Sequence, residues 1–271
     1  MPRIVFWNVH RKDLTPMVCA LARSTKADVI VLNENDVPSK QTLSALRQEV
    51  DTRFFKPECM SEKRFYCFCR DESLGLSEVH YSSRSSFREL KIGSTRSLLA
   101  LIHGIDVRNN DPATRQSFAQ TLSAEIRIRM EEQSATGVIL LGDFNMNPFD
   151  AGMNQAAGFN AMMTRSCVSL GKRRHIEEDY DFYYNPMWSL FGDNSSGPPG
   201  TVHDLTGQGP YGWSMLDQVL IHHSLVNFFK NVEILTQAEN YNLMNKQGRP
   251  DKSKASDHFP ILVTLGEKEN E

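Results

Sequence analysis

Short apolar runs, each stopped by polar residues, recur from one end of the chain to the other. Arg3–Asn8 (RIVFWN) reads as a buried strand. In DLTPMVCALARS, Val18, Leu21 and Ala22 fall at i, i+3, i+4 spacing, which predicts a helix with Thr15 as N-cap and Pro16 at its first position. Asp28–Leu32 (DVIVL) is a second continuously apolar strand, ending in Asn33, Glu34, Asn35 and Asp36. Ser39–Val50, reached through Pro38, predicts another helix. Residues 64–103 differ. RFYCFC, EVHYSS and SLLALIH follow one another across polar turns, so strands there meet strands with no helix between each pair.

Asp111-Pro112 opens a long helix reaching about Glu132, with Ala119, Leu122, Ile126 and Met130 on one face. Gly137–Asp143 (GVILLGD) is a further buried strand. The pattern weakens from Arg165 to about Gly212, a stretch rich in Gly, Asn, Ser and Pro around DNSSGPPGT. SMLDQVLI, VEILT and FPILVTL supply the last strands, and residues 266–271 are a charged tail expected to fray. No internal repeat and no dividing linker interrupts the series. Residues 1–271 are therefore expected to form one layered domain, with helices covering two β-sheets packed face to face.

Composition narrows the picture. With 40% hydrophobic residues in 271, the chain can bury a real core, which excludes wholesale disorder. No apolar run approaches a membrane span and MPRIVFWNVHRKD lacks a signal-peptide core, so stable membrane association is not expected. The 30 basic and 33 acidic residues give a net charge of −3, which excludes a polybasic coat but leaves room for a local basic patch or a bridging metal ion. Five cysteines without a secretory signal suit reduced thiols in a cytoplasm. Cys67 and Cys69 straddle Phe68 and read as strand packing, since no second ligand pair follows at zinc spacing.

The functional signal lies where apolar strands run straight into acidic, amide or imidazole side chains. This happens at Asn8, Glu34, His103, Asp143 and Asn145, while Asp217 sits inside SMLDQVLI and Asp257-His258 immediately precede FPILVTL. Strands ending at a common sheet edge would gather these groups. A carboxylate beside a buried strand is costly unless it binds a metal or a hydrogen-bond partner, so several at strand ends favour a metal site.

Trp7-Asn8, Leu32–Glu34 (LNE), His103, Gly142–Asn145 (GDFN), Leu216–Val219 (LDQV) and Ser256–His258 (SDH) together resemble the endonuclease/exonuclease/phosphatase superfamily, in order and across almost the whole chain. The resemblance implies an α+β fold: a four-layer α/β/β/α sandwich of two packed mixed β-sheets flanked by helices. It also implies Mg²⁺- or Mn²⁺-dependent hydrolysis of phosphate esters. By that resemblance Glu34 is the principal metal ligand, with Asn8 and Asp257 near the ion. Asp143 and Asn145 position and activate the attacking water, His258 stabilises phosphoryl charge and is oriented by Asp217, and His103 contacts the phosphate or the leaving oxygen. Hard oxygen ligands suit Mg²⁺, and a carboxylate partner raises a histidine's pKa and fixes its tautomer.

Bland readings stand beside these: a loop cap for Asn8, a satisfied strand-end histidine for His103, a turn or ion pair for Asp217, and a structural salt bridge for Arg84 of HYSSR. Trp188, Tyr211 and Trp213 read as core packing before groove lining. His10 stands where exonuclease III-type repair enzymes usually carry Asp, and His103 where they carry Tyr. The chain thus resembles the deoxyribonuclease and phosphatase branches more. Arg11-Lys12, Lys63-Arg64, Arg84, Arg108, Arg115 and Lys172-Arg173-Arg174 could surround a cleft or simply face solvent. The leading expectation is a nuclease acting on DNA, or on RNA. The alternatives are a phosphatase or phosphodiesterase on inositol phosphates, nucleotides or lipid headgroups, and a silent phosphate-binding or protein-binding relative.

Overall fold

In the computed structural model, which describes residues 1–61, 64–206 and 212–266, the apolar runs become strands because most are covered on both faces. Lys63, Tyr211 and residues 267–271 of the tail lie outside the described residues. In chain order, β1 (Arg3–Asn8), α1 (Thr15–Thr25), β2 (Val29–Asn33), α2 (Ser39–Glu49) and β3 (Phe65–Cys69) come first. The meander β4 (Gly75–Tyr81), β5 (Ser85–Ile92) and β6 (Thr95–His103) leads to α3 (Pro112–Glu132) and β7 (Val138–Asp143). Short elements follow: α4 (Ala151–Asn154), β8 (Ala161–Met162), α5 (Arg165–Val168), the hairpin β9 (Lys172–His175) and β10 (Glu178–Asp181), and β11 (Tyr183–Tyr184). β12 (Val202–Asp204), β13 (Gly212–Ser214), β14 (Asp217–His222), β15 (Phe229–Ile234), β16 (Gln237–Ala238), β17 (Tyr241–Asn242) and β18 (Ile261–Leu265) complete the chain.

Two large sheets result, ordered β15-β18-β1-β2-β3 and β4-β5-β6-β7-β14-β11-β8. Both are mixed, with β1–β2 and β6–β7 parallel inside otherwise largely antiparallel ladders. Side-chain alternation along the strands builds three cores. Ile4, Phe6, Val29 and Val31 of the first sheet meet Leu99, Leu101, Ile139, Leu141, Val219 and Ile221 of the second. On the outer face of the first sheet, Val5, Trp7, Ile30 and Leu32 pack under Val18 and Leu21 of α1 and Leu46 of α2. On the outer face of the second, Leu98, Ala100, Leu140 and Leu220 pack under Ala119, Leu122 and Ile126 of α3. The fold is the four-layer α/β/β/α sandwich of two mixed sheets flanked by helices.

Local differences from the sequence reading have physical causes. Leu14, not Thr15, caps α1: its carbonyl already accepts Val18 N–H, and the Asp13 carboxylate takes the Thr15 amide at 3.1 Å. Asp111 does cap α3, accepting Thr114 N–H at 2.7 Å. β5 has no apolar run of its own and forms because β6 pairs with it over eight residues. The stretch from Arg165 to Gly212, weakly patterned, still carries α5, a hairpin and β11, the last of which joins the larger sheet. Among the described residues no helix is long and apolar enough to cross a membrane.

Candidate active site

β1, β2, β6 and β7 all end at one edge of the sandwich, β14 begins there, and β18 follows directly after Phe259-Pro260. In the larger sheet His103, Asp143 and Asp217 occupy adjacent register positions on β6, β7 and β14. In-register neighbours project from the same face, so this polar row continues the column of Leu101, Leu141 and Val219 out of the inter-sheet core. Asn8 and Asn33 are likewise in register at the ends of β1 and β2, beyond Phe6 and Val31. The two sheets thus present polar side chains to each other at one end of an apolar interior.

Hydrogen bonds join the two sides. Asn8 Nδ2 donates to Asp143 Oδ2 at 3.2 Å, across the sheets. Asp143 Oδ1 accepts the Asn145 amide at 2.9 Å, and Asn145 Nδ2 reaches the Gly104 carbonyl at 3.2 Å and Asp143 Oδ2 at 3.5 Å. Asn145 and Glu34 both hold left-handed backbone, with φ of 51° and 50°, a conformation uncommon outside glycine that recurs where a site fixes its backbone. Gly104 and Gly142 let the strands approach this closely: a Cβ would lie 2.0 Å from the Phe144 oxygen at Gly104 and 1.9 Å from the Ile102 oxygen at Gly142.

The two histidines occupy opposite electrostatic environments. Burial alone would lower the His258 pKa, but Asp217, bonded to Nδ1 at 2.8 Å, together with Asp143 and Asp257, outweighs it and raises the value to about 10. His258 is therefore an imidazolium at neutral pH, with Nδ1–H given to Asp217. Burial takes His103 down to about 4, against the pull of Asp143 and helped by Arg64, Arg84 and His258. His103 is therefore neutral. Arg64 Nη1 lies 2.8 Å from its Nδ1 and can only donate, so the ring proton sits on Nε2, 3.4 Å from Glu34 Oε1 and 4.0 Å from Asp143 Oδ2. Burial, with the neighbouring Asp217 charge, pushes the Asp143 carboxyl up against the opposing His258 and His103.

The ligand atoms of Asp143, Asp217 and His258 all lie within 4.8 Å of one another. Asp217 Oδ1 is buried with no hydrogen-bond partner. Asp257 stands apart from that trio: its side chain is 33% exposed and its Oδ1 lies 3.4 Å from His10 Nδ1. Glu34, Asn8, Asp143 and Asp257 offer hard oxygen donors at this edge, a donor set that suits a divalent cation, and Asp217 Oδ1 beside them is a buried acceptor without a partner.

Other expected contacts are distributed unevenly. Arg84 Nη1 donates to the Gly104 carbonyl at 2.9 Å. Arg115 Nη1 holds the Asn145 carbonyl at 3.0 Å, and Lys12 Nζ donates to the Lys252 and Ala255 carbonyls. Lys172, Arg173 and Arg174 sit on the β9–β10 hairpin, whose Asp181 meets the end of β14 remote from Asp217. They do not surround this edge. Trp213 stacks on Phe259 and meets His203 edge-on, while Trp188 Nε1 is buried. A cleft of about 270 Å³ opens beside Arg64, lined in part by Glu78, Tyr81, Ser82, Ser83 and Ser86.

Several residues that position the site carry no role in the sequence pattern. Thr201 Oγ1 accepts the Leu216 and Asp217 amides, Ser256 Oγ donates to the Asn8 carbonyl, and Asn33 Oδ1 accepts the Glu34 amide. Thr201 lies in a Gly- and Pro-rich loop without periodicity, so nothing local marks it.

The family model described as "Endonuclease/Exonuclease/phosphatase family" matches residues 5–258. No curated protein sequence matches the chain. Among solved structures, D. rerio TDP2 complexed with single strand DNA product is 14% identical with a TM-score of 0.58, over 98% of this chain and 99% of that one. The mannosyl-6-phosphatase Bt3783 of Bacteroides thetaiotaomicron is 13% identical with a TM-score of 0.59, again over 98% and 99%. An AP endonuclease from Archaeoglobus fulgidus is 12% identical at 0.56, over 98% and 99%. At such identities the likeness is one of fold.

Proposed function

The chain belongs to the endonuclease/exonuclease/phosphatase family, and on that premise we propose that it is a divalent-metal-dependent phosphoesterase, a nuclease hydrolysing DNA or RNA phosphodiester bonds, with residues 1–271 as its catalytic domain. The observation that carries this reading is the pair of histidines gathered at the buried Asp143 from different strands, His258 bonded to Asp217 at 2.8 Å and His103 faced by Arg64 at 2.8 Å, surroundings that raise the one and lower the other. Pairs of titratable groups driven apart by their surroundings mark acid–base assignments.

In this reading Glu34, Asn8 and Asp257 would hold Mg²⁺ or Mn²⁺, which when bound would supply Lewis-acid neutralisation of phosphoryl charge. Asp143, its pKa raised by burial, accepts the proton of the attacking water, and the Asn145 amide aims that water. His258, cationic and held by Asp217, donates from Nε2 to the charge that develops on the phosphoryl oxygens. Neutral His103 donates from Nε2 to a phosphate or leaving oxygen, with Arg64 setting its tautomer. Arg64 and Arg84 supply cationic contacts at this edge for a polyanion.

The second reading, a phosphatase on small phosphate esters, is favoured by the hydroxyl-lined cleft beside Arg64 and by the equal fold likeness to a sugar phosphatase. A substrate panel with Mg²⁺, Mn²⁺ and EDTA separates the two: plasmid, linear duplex, single-stranded DNA, RNA and inositol or sugar phosphates. Metal-dependent strand cleavage that Asp143→Asn abolishes is the expected result. Phosphate release without strand cleavage would put the phosphatase first, and inertness toward every substrate with either metal would leave a silent relative.

A further inference from the structure

At the opposite end of β14 from Asp217, roughly 17 Å away at strand rise, a second polar cluster lies outside the catalytic edge. His222 ends β14 and His223 begins the 3₁₀ turn that follows, so the chain bends between them and both rings fall on one side, with centroids 4.2 Å apart. Asp181, the last residue of the β9–β10 hairpin, faces both. Its Oδ2 is 3.6 Å from His222 Nε2 and its Oδ1 is 3.5 Å from His223 Nε2. The donor atoms of the three side chains lie within 4.8 Å of one another.

The hydrogen bonds of His222 decide what this cluster lacks. Its ring is 4% exposed, and Nε2 is buried with no hydrogen-bond partner. Ser224 Oγ donates to the Thr136 carbonyl at 2.7 Å, so at its 2.7 Å contact with His222 Nδ1 it accepts, and Nδ1 carries the proton. The Ser224 amide, at 3.4 Å from the same nitrogen, is the weaker contact. With that proton on Nδ1, Nε2 presents a lone pair to a carboxylate oxygen inside the protein, which is unfavourable without a cation between them. A shared proton would draw a charge-assisted pair to about 2.7–2.9 Å. Separations of 3.5 and 3.6 Å, one to each carboxylate oxygen, are too long for such a pair and close to the roughly 3.4 Å between two donors that share a tetrahedral ion at bonds of about 2.0–2.1 Å, so a small rotation of the Asp181 carboxylate completes the set.

We propose that Asp181, His222 and His223 form a zinc site that pins the β9–β10 hairpin to the far end of β14. Two imidazoles and one carboxylate suit Zn²⁺ over Mg²⁺, and the partial exposure of Asp181 and His223 leaves a fourth position for water. The Ser224–Thr136 relay fixes the tautomer that leaves Nε2 free to ligate, as outer partners of ligating histidines do. The Lys172 ammonium, 3.8 Å from Asp181 Oδ1, is the group that Zn²⁺ must displace, and its mostly exposed side chain can swing into solvent.

The test is zinc titration of the metal-stripped full chain in excess Mg²⁺, with Co²⁺ absorption as a reporter of tetrahedral coordination. One Zn²⁺ per chain is expected to bind, and Glu34→Gln should not change this. His223→Ala and Asp181→Asn alter partly exposed side chains; they should stay folded by circular dichroism, weaken Zn²⁺ by more than roughly tenfold and lose the Co²⁺ bands. Zinc should also slow tryptic cleavage after Lys172, Arg173 and Arg174 in the wild type only. Equal zinc affinity in the wild type and both variants would overturn the site. Zinc binding without tryptic protection would overturn the pinning role.

Discussion

His103 and His258 are chemically the same side chain, yet burial takes the one down to about 4 while Asp217 and its fellow carboxylates bring the other up to about 10. Asp217 is the largest of the groups that raise His258, so Asp217→Asn removes both a charge and a hydrogen-bond acceptor, leaving burial to pull the pKa down. The imidazolium then deprotonates at lower pH. The alkaline limb of kcat/KM should shift to lower pH in this variant, with a greater loss at pH 9 than at pH 7; an unshifted limb would remove His258 as the essential acid. Glu34→Gln keeps the shape but removes the charge of the proposed ligand. Activity should fall and recover in part at high Mg²⁺, and an unchanged metal titration would exclude Glu34 as a ligand. Asp143→Asn and His258→Ala each should cost at least ~10²-fold in kcat, and the double variant far less than their product, since the proposed mechanism has both act on one step. At this scale the sequence was legible where a polar residue interrupts an apolar run, as at Asn8, Glu34 and Asp143. It was silent where a residue acts through space: Arg64 meets His103 across 39 positions, and the partnerless Nε2 of His222 follows from a serine–carbonyl contact spanning 88.

The elements were legible in proportion to how fully the fold buries them. β1, β2, β7 and β18 are covered on both faces and spell themselves as apolar runs. β5 and the β9–β10 hairpin borrow their order from neighbours and carry Arg88, Lys172 and Arg174 within them. Arg88 is 1% exposed, yet it bonds the Leu76 carbonyl at 3.0 Å and reaches Glu78, whose carboxylate also accepts the Ser86 hydroxyl and the Met60 amide. A charge paired in this way through Nη1 and Nη2, with Nε left without a partner, cannot be told from a surface residue by pattern alone. The Gly142 position makes an element-scale prediction, because β6 and β7 approach there with no room for a side chain. Gly142→Ala should separate the strands that carry His103 and Asp143 and lower stability by about 2 kcal/mol or more. The urea midpoint should fall and kcat with it, whereas a variant of wild-type stability and activity would show that the strands tolerate the extra methyl group.

At the scale of the whole molecule, the catalytic edge is only as rigid as the interior between the sheets. Asn8 belongs to one sheet and Asp143 to the other, and their hydrogen bond survives only while that interior keeps the sheets in place. The cysteines report on this directly. Cys67 and Cys69 lie in the inter-sheet core, and Cys19 lies in the outer core under α1. Burial pushes the Cys19 thiol up to about 11 and the Cys69 thiol up to about 12, and raises Cys67 as well, so none offers an accessible thiolate near neutral pH. Cys59 and Cys167 are only partly buried. Detaching α1 would expose Cys19, whereas Cys67 and Cys69 face the other sheet from the edge strand β3 and become reachable only when β3 leaves the sandwich or the two sheets part. Thiol labelling at pH 8, read by mass spectrometry, should therefore modify Cys59 and Cys167 first, Cys19 more slowly, and Cys67 and Cys69 last and together. The last rate should rise with urea in step with the unfolding equilibrium. Labelling of Cys67 as fast as Cys59 in the folded protein would mean that β3 is not closed over the inter-sheet core, and simultaneous loss of activity would show that the Asn8–Asp143 contact depends on that closure.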